Sequence, residues 1–439
     1  MASRYWVGGT GTWDASNTTN WSASSGGAGG ASVPTAADAV LFDAASGGGT
    51  CTIGATVPCL TLNLSGYTGT LAFGTNKIEI AGNAATIFTQ TTSCNVSGTP
   101  LIDLTYTGST GTRVISALSL AAANTISFNV LGGTDIFSMV NTSRVRKLNF
   151  TGFSGSLAAT SRVVYGDLTL SPTMTITAGA GGTSLRAVTS GDTNTLTTNG
   201  VAINNFLRQD TSGTWRLGDN LTFGATYGLI HEGGTFDANG HNISTTYVTS
   251  SNSSTRVLSL GTGTWTVSGS GTAWDCTTST NLTVSASTGV IDMTSASAKT
   301  FAGGGKAWPT LNQGGTGALT ITGANTFANI TNTVQPATIT FPASTTTTVS
   351  AFGVSGTSGN LITLNSSTSG TRATLSDASG VNSVSFCDIK DINATGGATW
   401  SSFTSNGNVD SGNNVGWDFF AQSFRYIYTR RKNKVIYQL

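Results

Sequence analysis

Carboxylates are the first residues in this sequence whose chemistry could support catalysis. The chain has 19 acidic residues, all of them Asp except Glu79 and Glu232. Enzymes that cleave polysaccharides hold two or three carboxylates close together, because one protonates the leaving oxygen while another acts as base or nucleophile. The densest local pair is Asp388 and Asp391, on either side of Lys390, and on a strand these two carboxylates would point to opposite faces. The sequence therefore predicts no glycosidic site there.

Histidines and cysteines predict neither a metal site nor a cofactor site. His231 precedes Glu232, but the second histidine of a zinc-protease helix motif is missing. Residues 237–242, which include the other histidine, His241, are predicted to form an Asx-rich turn, with a bound calcium ion as the alternative. The cysteines are odd in number, scattered and without a Cys-x-x-Cys pair, so a disulfide framework and a structural zinc site are not expected. Pairing of Cys51 with Cys59 remains an alternative.

Linear signatures of other enzymes are missing as well. The sequence contains no G-x-S-x-G elbow, no P-loop and no nonapeptide calcium repeat. We therefore predict no catalytic, metal-binding or cofactor-binding residue and do not expect an enzyme. A site assembled across distant segments would leave no linear motif, so a glycan-cleaving activity stays an alternative.

Composition and charge argue against several classes of partner. Only 9% of the 439 residues are charged, against about 25% in ordinary globular proteins, and the net charge is +1. Such a balance creates no field that attracts nucleic acid or an acidic membrane, and no apolar run of about 18 residues could span a bilayer. The first residues lack a basic region followed by an apolar stretch, so we expect no secretory signal and a chain that folds in the cytoplasm.

Short alternating segments predict an all-β fold. Apolar residues recur with period two from about residue 58 to 390, as in 60–64, 101–104, 281–284 and 337–341, and Gly, Asn and Ser clusters separate them. Strands without a helical layer must stack on one another. We predict a right-handed parallel β-helix of about 15 coils, each of about 20 residues. A tandem of β-sandwich domains of about 100 residues is the alternative.

Internal repeats support stacked units. Residues 62–71 read LNLSGYTGTL and residues 148–157 read LNFTGFSGSL, which match in residue type at every position. A second motif, GTGTW, occurs at 9–13 and 261–265, and the related SGTW occurs at 212–215. Repetition of this kind indicates units that bury their apolar faces only against their neighbours.

The two ends differ from the repetitive region, which gives four predicted segments: a cap or anchor at 1–50, the solenoid at 51–392, a second cap at 393–420 and a docking tail at 421–439. Trp6, Trp13 and Trp21 crowd the first segment, and we interpret them as a hydrophobic cap, with a sugar-stacking platform as the alternative.

The tail alternates basic and aromatic residues and contains no acid. We predict that it adds a strand to a neighbouring subunit or docks on an acidic partner. Nucleic-acid binding and a loosely packed terminus are the alternatives. The predicted docking residues are Arg425, Tyr426, Tyr428, Arg430, Arg431, Lys432, Lys434 and Tyr437.

An ordered set of phrases in the C-terminal half resembles a known family. These phrases are GTFDANGHN at 234–242, LSLGTGTWTVSGSGTAWD at 258–275, KTFAGGGK at 299–306, NLITLNSSTSGT at 360–371, NATGGATW at 393–400 and GNNVGWDF at 412–419. Together they resemble β-solenoid structural proteins of tailed bacteriophages. The resemblance implies a virion component of the tail-fibre, tailspike or head-decoration type, assembled in the host cytoplasm and often trimeric. It brings no catalytic residues.

Four functions are therefore compared. We favour a trimeric virion fibre or spike that contacts the host surface, with a host glycan as a possible ligand. A capsid decoration protein is the alternative, a polysaccharide depolymerase comes third, and a bacterial adhesin conflicts with the expected lack of a signal. Trp215, Trp265 and Trp274 would support a trimer if they face outward, but each can equally lie inside its own coil.

Overall fold

Parallel coils make up the whole fold. The computed structural model describes residues 1–119, 121–285 and 287–420, and no α-helix occurs among them. Their strands stack in a β-solenoid of about 17 turns, which confirms the predicted β-helix and shows that the β-sandwich alternative is wrong. The chain divides into two compact units, of which the first comprises Met1–Ser268 and Thr278–Gly289 and the second begins with Gly269–Thr277 and continues from Val290.

Among its described residues, the first unit contains two short 3-10 helices, Ala44–Ser46 and Ala122–Asn124. Its strands are β1 (Ser3–Trp6), β2 (Gly11–Trp13), β3 (Trp21–Ser22), β4 (Ala39–Leu41), β5 (Thr50–Ile53), β6 (Val57–Cys59), β7 (Thr61–Leu64), β8 (Thr70–Ala72), β9 (Ile78–Ile80), β10 (Thr86–Gln90), β11 (Asn95–Ser97), β12 (Leu101–Leu104), β13 (Thr112–Ala117), β14 (Ile126–Val130), β15 (Ile136–Met139), β16 (Ser143–Asn149), β17 (Ser156–Leu157), β18 (Arg162–Val164), β19 (Leu168–Thr169), β20 (Thr175–Ile176), β21 (Gly182–Leu185), β22 (Thr193–Thr197), β23 (Phe206–Gln209), β24 (Thr214–Leu217), β25 (Leu221–Thr222), β26 (Leu229–His231), β27 (Gly234–Asp237), β28 (Ile243–Thr245), β29 (Val248–Thr249), β30 (Arg256–Ser259), β31 (Thr264–Val267) and β33 (Leu282–Ser285).

The second unit contains one 3-10 helix, Thr404–Asn406, among its described residues. Its strands are β32 (Gly271–Asp275), β34 (Val290–Met293), β35 (Lys299–Ala302), β36 (Ala307–Gln313), β37 (Leu319–Thr322), β38 (Thr326–Asn332), β39 (Ala337–Phe341), β40 (Thr346–Val349), β41 (Phe352–Gly353), β42 (Ile362–Ser366), β43 (Ala373–Asp377), β44 (Val381–Ser383), β45 (Cys387–Lys390), β46 (Ile392–Gly396), β47 (Thr399–Ser401) and β48 (Val409–Asp410).

Each sheet runs from coil to coil. In the first unit, β4, β7, β10, β13, β15, β17 and β20 pair in parallel and in this order, while β2, β5, β8 and β11 form a second sheet. In the second unit, β36, β38, β40, β43 and β46 form one parallel sheet and β35, β37, β39, β42, β45 and β48 form another. Beyond the first coil, parallel paired positions lie from 17 residues apart (Ser401 with Asp418) to 28 apart (Leu168 with Leu196).

Alternation of burial explains why these sequences form strands. In β14, β39, β42 and β43, every second side chain is buried and the side chains between them are partly exposed. The buried positions carry mainly Leu, Ile, Val and Phe, and the outer positions carry mainly Thr, Ser and Asn. A single slip in register would exchange the two faces, so the alternation also fixes how the coils align.

The predicted repeat forms the same corner in both copies. Asn63 Oδ1 accepts a hydrogen bond from the amide of Ser65 (2.8 Å), and Asn149 Oδ1 accepts one from the amide of Thr151 (3.0 Å). The next residue is glycine with a positive φ, 89° in Gly66, and the aromatic residue that follows is fully buried in each copy. The motif therefore specifies a turn that leads one strand into the next.

Tryptophans fill the interior of the coils. Trp6, Trp13 and Trp21 are fully buried around Phe42, and the rings of Trp6 and Trp21 lie 5.3 Å apart. The sugar-stacking alternative fails because no indole ring of the three is exposed, and the cap interpretation stays a prediction. Residues 1–50 also pair with later strands through β4 with β7 and β2 with β5, so they supply the first coil.

The three tryptophans considered for a trimer interface lie inside their own chain. Trp215, Trp265 and Trp274 are each at most 1% exposed. The indole of Trp265 donates to the carbonyl oxygen of Leu260, five residues earlier (3.1 Å), and Trp308 and Trp400 make the same contact in the second unit. These rings stabilise corners and offer no surface to another subunit.

The corner geometry predicts a strong effect of one methyl group. A Cβ on Gly69 would overlap the carbonyl oxygen of Gly49 and the ring of Tyr67, whereas a Cβ on Gly48 would find its nearest neighbour, Thr68 Oγ1, at 3.6 Å. We expect Gly69→Ala to lower the free energy of unfolding by about 1–3 kcal/mol because the ring or the backbone must move. Urea unfolding measures this, with Gly48→Ala as the matched control. Equal midpoints for the two variants would contradict the close packing.

Candidate functional site

Charged side chains of the first unit pair between neighbouring coils. Lys147 Nζ lies 2.7 Å from Asp167, and Arg186 binds Asp210 through two nitrogens at 2.8 and 2.7 Å. The partners in each such pair are separated by one coil, and the remaining pairs are Lys77–Asp103, Arg113–Asp135, Arg208–Glu232 and Arg216–Asp237. Most of these carboxylates contact a single cation, while Lys77 bridges Asp103 and Glu79, which occupy the same position on neighbouring coils.

The acidic pair considered in the sequence also serves turns. Asp388 accepts a hydrogen bond from the hydroxyl of Ser411. Asp391 is 2% exposed and accepts from Asn413 Nδ2 (2.6 Å) and from the amide of Gly370 (3.0 Å). The bonds from Asn413 and then Gly370 lower the pKa of Asp391, so this carboxyl stays ionised as a structural acceptor.

A serine and a histidine meet in the interior of the first unit. His231 Nδ1 lies 3.2 Å from Ser250 Oγ, and its Nε2 lies 3.2 Å from the carbonyl oxygen of Gly234. Because a carbonyl only accepts, Nε2 carries the proton and Nδ1 accepts from the serine hydroxyl. Ser250 Oγ in turn accepts from Arg256 Nε at 2.9 Å. The result is one directed chain from Arg256 through Ser250 and His231 to Gly234.

Burial gives this series of hydrogen bonds a structural role and keeps Ser250 from acting as a nucleophile. His231 and Ser250 are fully buried and Arg256 is 1% exposed, so no substrate reaches the hydroxyl. Burial lowers the pKa of His231 to about 4, which keeps the imidazole neutral near pH 7. The guanidinium of Arg256 also donates to turn carbonyls of two coils, those of Ser250 and Thr278 among them. It thereby satisfies backbone groups that would otherwise be buried without partners.

The same arrangement recurs at other interior corners. Gln90, Gln209 and Gln313 are fully buried, and each Nε2 donates to the carbonyl four residues later, at 3.5, 3.2 and 2.7 Å. Lys299 Nζ donates to the carbonyls of Ser295 (3.0 Å) and Gly317 (2.7 Å), and burial lowers its pKa to about 8. Sequence reasoning missed these residues. They could have been recognised as a single long polar residue at a position where the alternation of the strand predicts a buried side chain.

The cysteines are buried thiols. Cys51 and Cys59 do not form a disulfide, so the alternative of their pairing is wrong, and neither Cys94 nor Cys387 forms one. Burial raises the pKa of Cys94 and of Cys387 to about 12, so neither is a thiolate at neutral pH. Within residues 1–119, 121–285 and 287–420, no three His, Cys, Asp or Glu side chains gather as metal ligands.

The Asx turn predicted at 237–242 is present. The amide of Asn239 donates to Asp237 Oδ1 (2.9 Å), and Asn239 has a φ of 52°. Asp237 is already bound to Arg216, at 2.9 Å from its Nε. This carboxylate therefore serves the turn and its neighbouring coil.

An open groove crosses the outer face of the first unit. It has a volume of about 380 Å³, and β15, β17 and β20 contribute to its floor. Hydroxyls dominate the lining, and those of Ser156 and Thr175 are hydrogen-bonded to each other. Ile136, 41% exposed, adds an apolar surface. The lining residues are Ser109, Gly111, Thr134, Asp135, Ile136, Ser154, Gly155, Ser156 and Thr175.

Asp135 is the single carboxylate that lines this groove. It is buried, and its Oδ2 lies 3.0 Å from Arg113 Nε, although the contact lacks the geometry of a hydrogen bond. Burial raises the pKa of Asp135 and the charge of Arg113 partly opposes this effect. A hydrolytic mechanism needs a second carboxyl across the groove, and none lines it. The arrangement can bind a hydroxylated ligand but does not supply an acid and base pair.

The predicted docking residues of the tail, from Arg425 to Tyr437, lie outside the described residues. None of the helices in the described part of the chain is long and apolar enough to cross a membrane. No family model, curated protein or solved structure matches this chain.

The lowered pKa of His231 predicts that the free energy of unfolding decreases in acid. Its pKa is about 4 in the folded chain against 6.5 as the ordinary value, so the unfolded chain takes up the proton first as the pH falls. Stability contributed by neutral His231 is complete above pH 6.5 and declines towards pH 4, by about 3 kcal/mol in total. Between pH 6.5 and pH 4, we expect the free energy of unfolding of His231→Gln to decrease by about 3 kcal/mol less than that of the unsubstituted protein, as measured by urea unfolding.

Glutamine suits this position because Gln209 occupies the matching place on the preceding coil. His241→Gln, in the half-buried turn, is the matched control. An unchanged acid loss in His231→Gln, relative to the unsubstituted protein, would contradict the proposed role of burial.

Proposed function

We propose that this protein is a non-enzymatic structural component of a tailed-phage particle, a fibre or spike subunit that contacts the surface of the host. The proposal rests on one observation: the side chains that could catalyse a reaction instead stabilise the fold. Acidic residues pair with cations of adjacent coils, His231 and Ser250 are sealed inside, and the thiols are buried. The phrases of residues 234–419 that resemble phage solenoid proteins support the virion assignment.

The hydroxyl-lined groove supports contact with a host glycan. Saccharides present several hydroxyls around a less polar ring face, and Ser156 and Thr175 beside the exposed Ile136 offer matching chemistry. The groove carries no paired carboxylates, so this proposal includes binding and not cleavage. Assembly in the host cytoplasm and a homotrimer, which the resemblance implies, belong to the same proposal.

Capsid decoration is the second candidate. It is favoured by the basic and aromatic composition of residues 421–439, which suits docking between shell subunits. A depolymerase has less support because it would need two carboxylates and Asp135 is the single carboxylate among the residues that line the groove. Antibody labelling of intact particles distinguishes the first two functions, since a decoration protein covers the shell and a fibre is confined to the tail or a vertex.

A glycan-binding assay tests the proposed contact. Ser156→Arg places a long charged side chain in the groove, so we expect at least about a tenfold loss of apparent affinity on an array of bacterial surface glycans. Ser116→Arg is the matched control, because Ser116 lies on β13 of the same sheet and does not line the groove. Binding that survives Ser156→Arg would place the contact elsewhere, and absence of binding to any glycan or bacterial cell would overturn the host-contact proposal.

A further inference from the structure

An aromatic patch, formed by Phe206, Tyr227 and Tyr247, lies on the outer face of the first unit. Phe206 is 36% exposed, whereas most of the described phenylalanines are buried. Its ring lies 5.9 Å from that of Tyr227, in an edge-to-face arrangement, and Tyr227 and Tyr247 are both partly exposed. An exposed apolar patch with a polar rim is typical of a binding site.

Glycines separate the rings of the aromatic patch. Phe206 pairs with Gly182 of the preceding coil, and the register of β23, β26 and β29 continues this outward column through Gly228 to Tyr247. A Cβ on Gly228 would lie 3.0 Å from two ring atoms of Tyr247, so this ring lies against the glycine. The backbones of Phe206 and Tyr247 are two strand spacings apart, about 10 Å, and no side chain of the column stands between them. The patch is therefore open on its outer side.

Arg208 lies beside Phe206 and has an incomplete ion pair. The two residues alternate with buried ones on β23, so both side chains point outward. Arg208 Nη1 lies 3.6 Å from Glu232 Oε2, and its guanidinium makes no hydrogen bond to any described residue. Arg186, by contrast, binds Asp210 through two nitrogens at 2.8 and 2.7 Å. The side chain of Arg208 is 47% exposed, so its N–H donors are available to a ligand.

The tyrosines of the aromatic patch add hydroxyl groups. The hydroxyls of Tyr227 and Tyr247 have no hydrogen-bond partner among the described residues, whereas Tyr67 donates its hydroxyl to the carbonyl oxygen of Gly49 (2.7 Å). Burial raises the pKa of Tyr247, and the positive charge of Arg208 partly opposes this shift. The hydroxyl of Tyr247 is therefore protonated near pH 7 and can both donate and accept a hydrogen bond.

These groups match a saccharide that carries a carboxylate. The C–H face of a sugar ring can pack against the exposed ring of Phe206, which has no polar atom of its own. Sugar hydroxyls can exchange hydrogen bonds with the hydroxyls of Tyr227 and Tyr247. A carboxylate on the sugar can accept two parallel hydrogen bonds from the guanidinium of Arg208, a geometry that matches its planar fork.

Two other classes of macromolecule fit the aromatic patch less well. A nucleic acid needs several cations for its phosphates, and here Asp210 and Glu232 lie beside Arg186 and Arg208 and balance their charge. A peptide that adds a strand needs an open sheet edge, whereas β23 and β26 are paired on both sides. A saccharide requires neither feature.

We propose that the aromatic patch and Arg208 form a binding site for an acidic saccharide. A sugar ring lies against Phe206 and Tyr247, and its carboxylate binds the guanidinium of Arg208. The site lies on β23, β26 and β29, in a different sheet from the groove on β15, β17 and β20. It adds a second surface to the proposed glycan contact and rests on that proposed function for the choice of a saccharide.

Paired glycans test the charge of the ligand. The probes are polygalacturonate, alginate and hyaluronan, and calorimetric titration compares each polymer with its own carboxyl-reduced form. We expect at least one acidic polymer to bind about tenfold or more tighter than its reduced form, because Arg208 loses its partner when the carboxylate is removed. Equal binding of both forms in all three pairs, or no binding in any pair, would overturn the proposal.

Substitutions test the location of the site. Phe206→Ala removes the ring and Arg208→Gln removes the charge, and we expect each to weaken binding of the acidic polymer by about tenfold or more, while Phe206→Tyr retains it. Arg216→Gln is the matched control, since it removes the same charge from an exposed residue of β24, outside the aromatic patch. Unchanged affinity in Phe206→Ala, or equal losses in Arg208→Gln and Arg216→Gln, would contradict this site.

Ser156→Arg separates this site from the groove. We expect this variant to bind the acidic polymer as tightly as the unsubstituted protein, because Ser156 lies on β17 of the other sheet. Loss of binding in Ser156→Arg but not in Phe206→Ala would overturn the second site and keep the proposed groove contact. Loss in Phe206→Ala but not in Ser156→Arg would support the second site, whatever the groove binds.

Discussion

The parallel hydrogen-bond ladder between successive coils is the interaction on which the rest of the structure depends. Each coil binds its neighbour through backbone groups, as Ile362–Ser366 does on Ala337–Phe341 in the second unit. A side chain therefore lies against the residue at the same position of the next coil. Thr and Ser tolerate this stacking outside, and Leu, Ile and Phe fill it inside. The low charge of the chain follows, because like charges stacked at this spacing would repel.

The same ladder determines where polar groups can be used. A turn that widens a coil brings backbone carbonyls inward, and a long polar side chain from an adjacent strand must satisfy them. Arg256, Lys299 and Gln313 donate hydrogen bonds to such carbonyls. His231 belongs to the series of hydrogen bonds that begins at Arg256. On the outside, Asp167 and Asp210 each pair with a cation of the preceding coil. Chemistry-bearing residues are thus distributed along the stack, and the groove at Ile136 has binding groups without a catalytic pair.

Alternation and the corner repeat made the fold class predictable from the sequence. The motif at 62–71 and 148–157 specifies its turn through local contacts, with Asn, Gly and an aromatic residue within a few positions. The interior polar residues were not predictable in this way. Gln209 and His231 occupy matching positions on neighbouring coils. Because the number of residues in a coil varies, this match is seen only from the register of the paired strands. For the same reason, the orientation of Trp215 and Trp265 stayed open until their coils were known.

We propose that this solenoid binds a glycan without cleaving it. Incubation of the purified chain with a polysaccharide that it binds, followed over time by an assay for reducing ends, tests this claim most directly. We expect bound protein and no release of reducing ends above the rate in buffer. Release that is abolished by Asp135→Asn, with binding retained, would contradict the account and identify the groove as an active site.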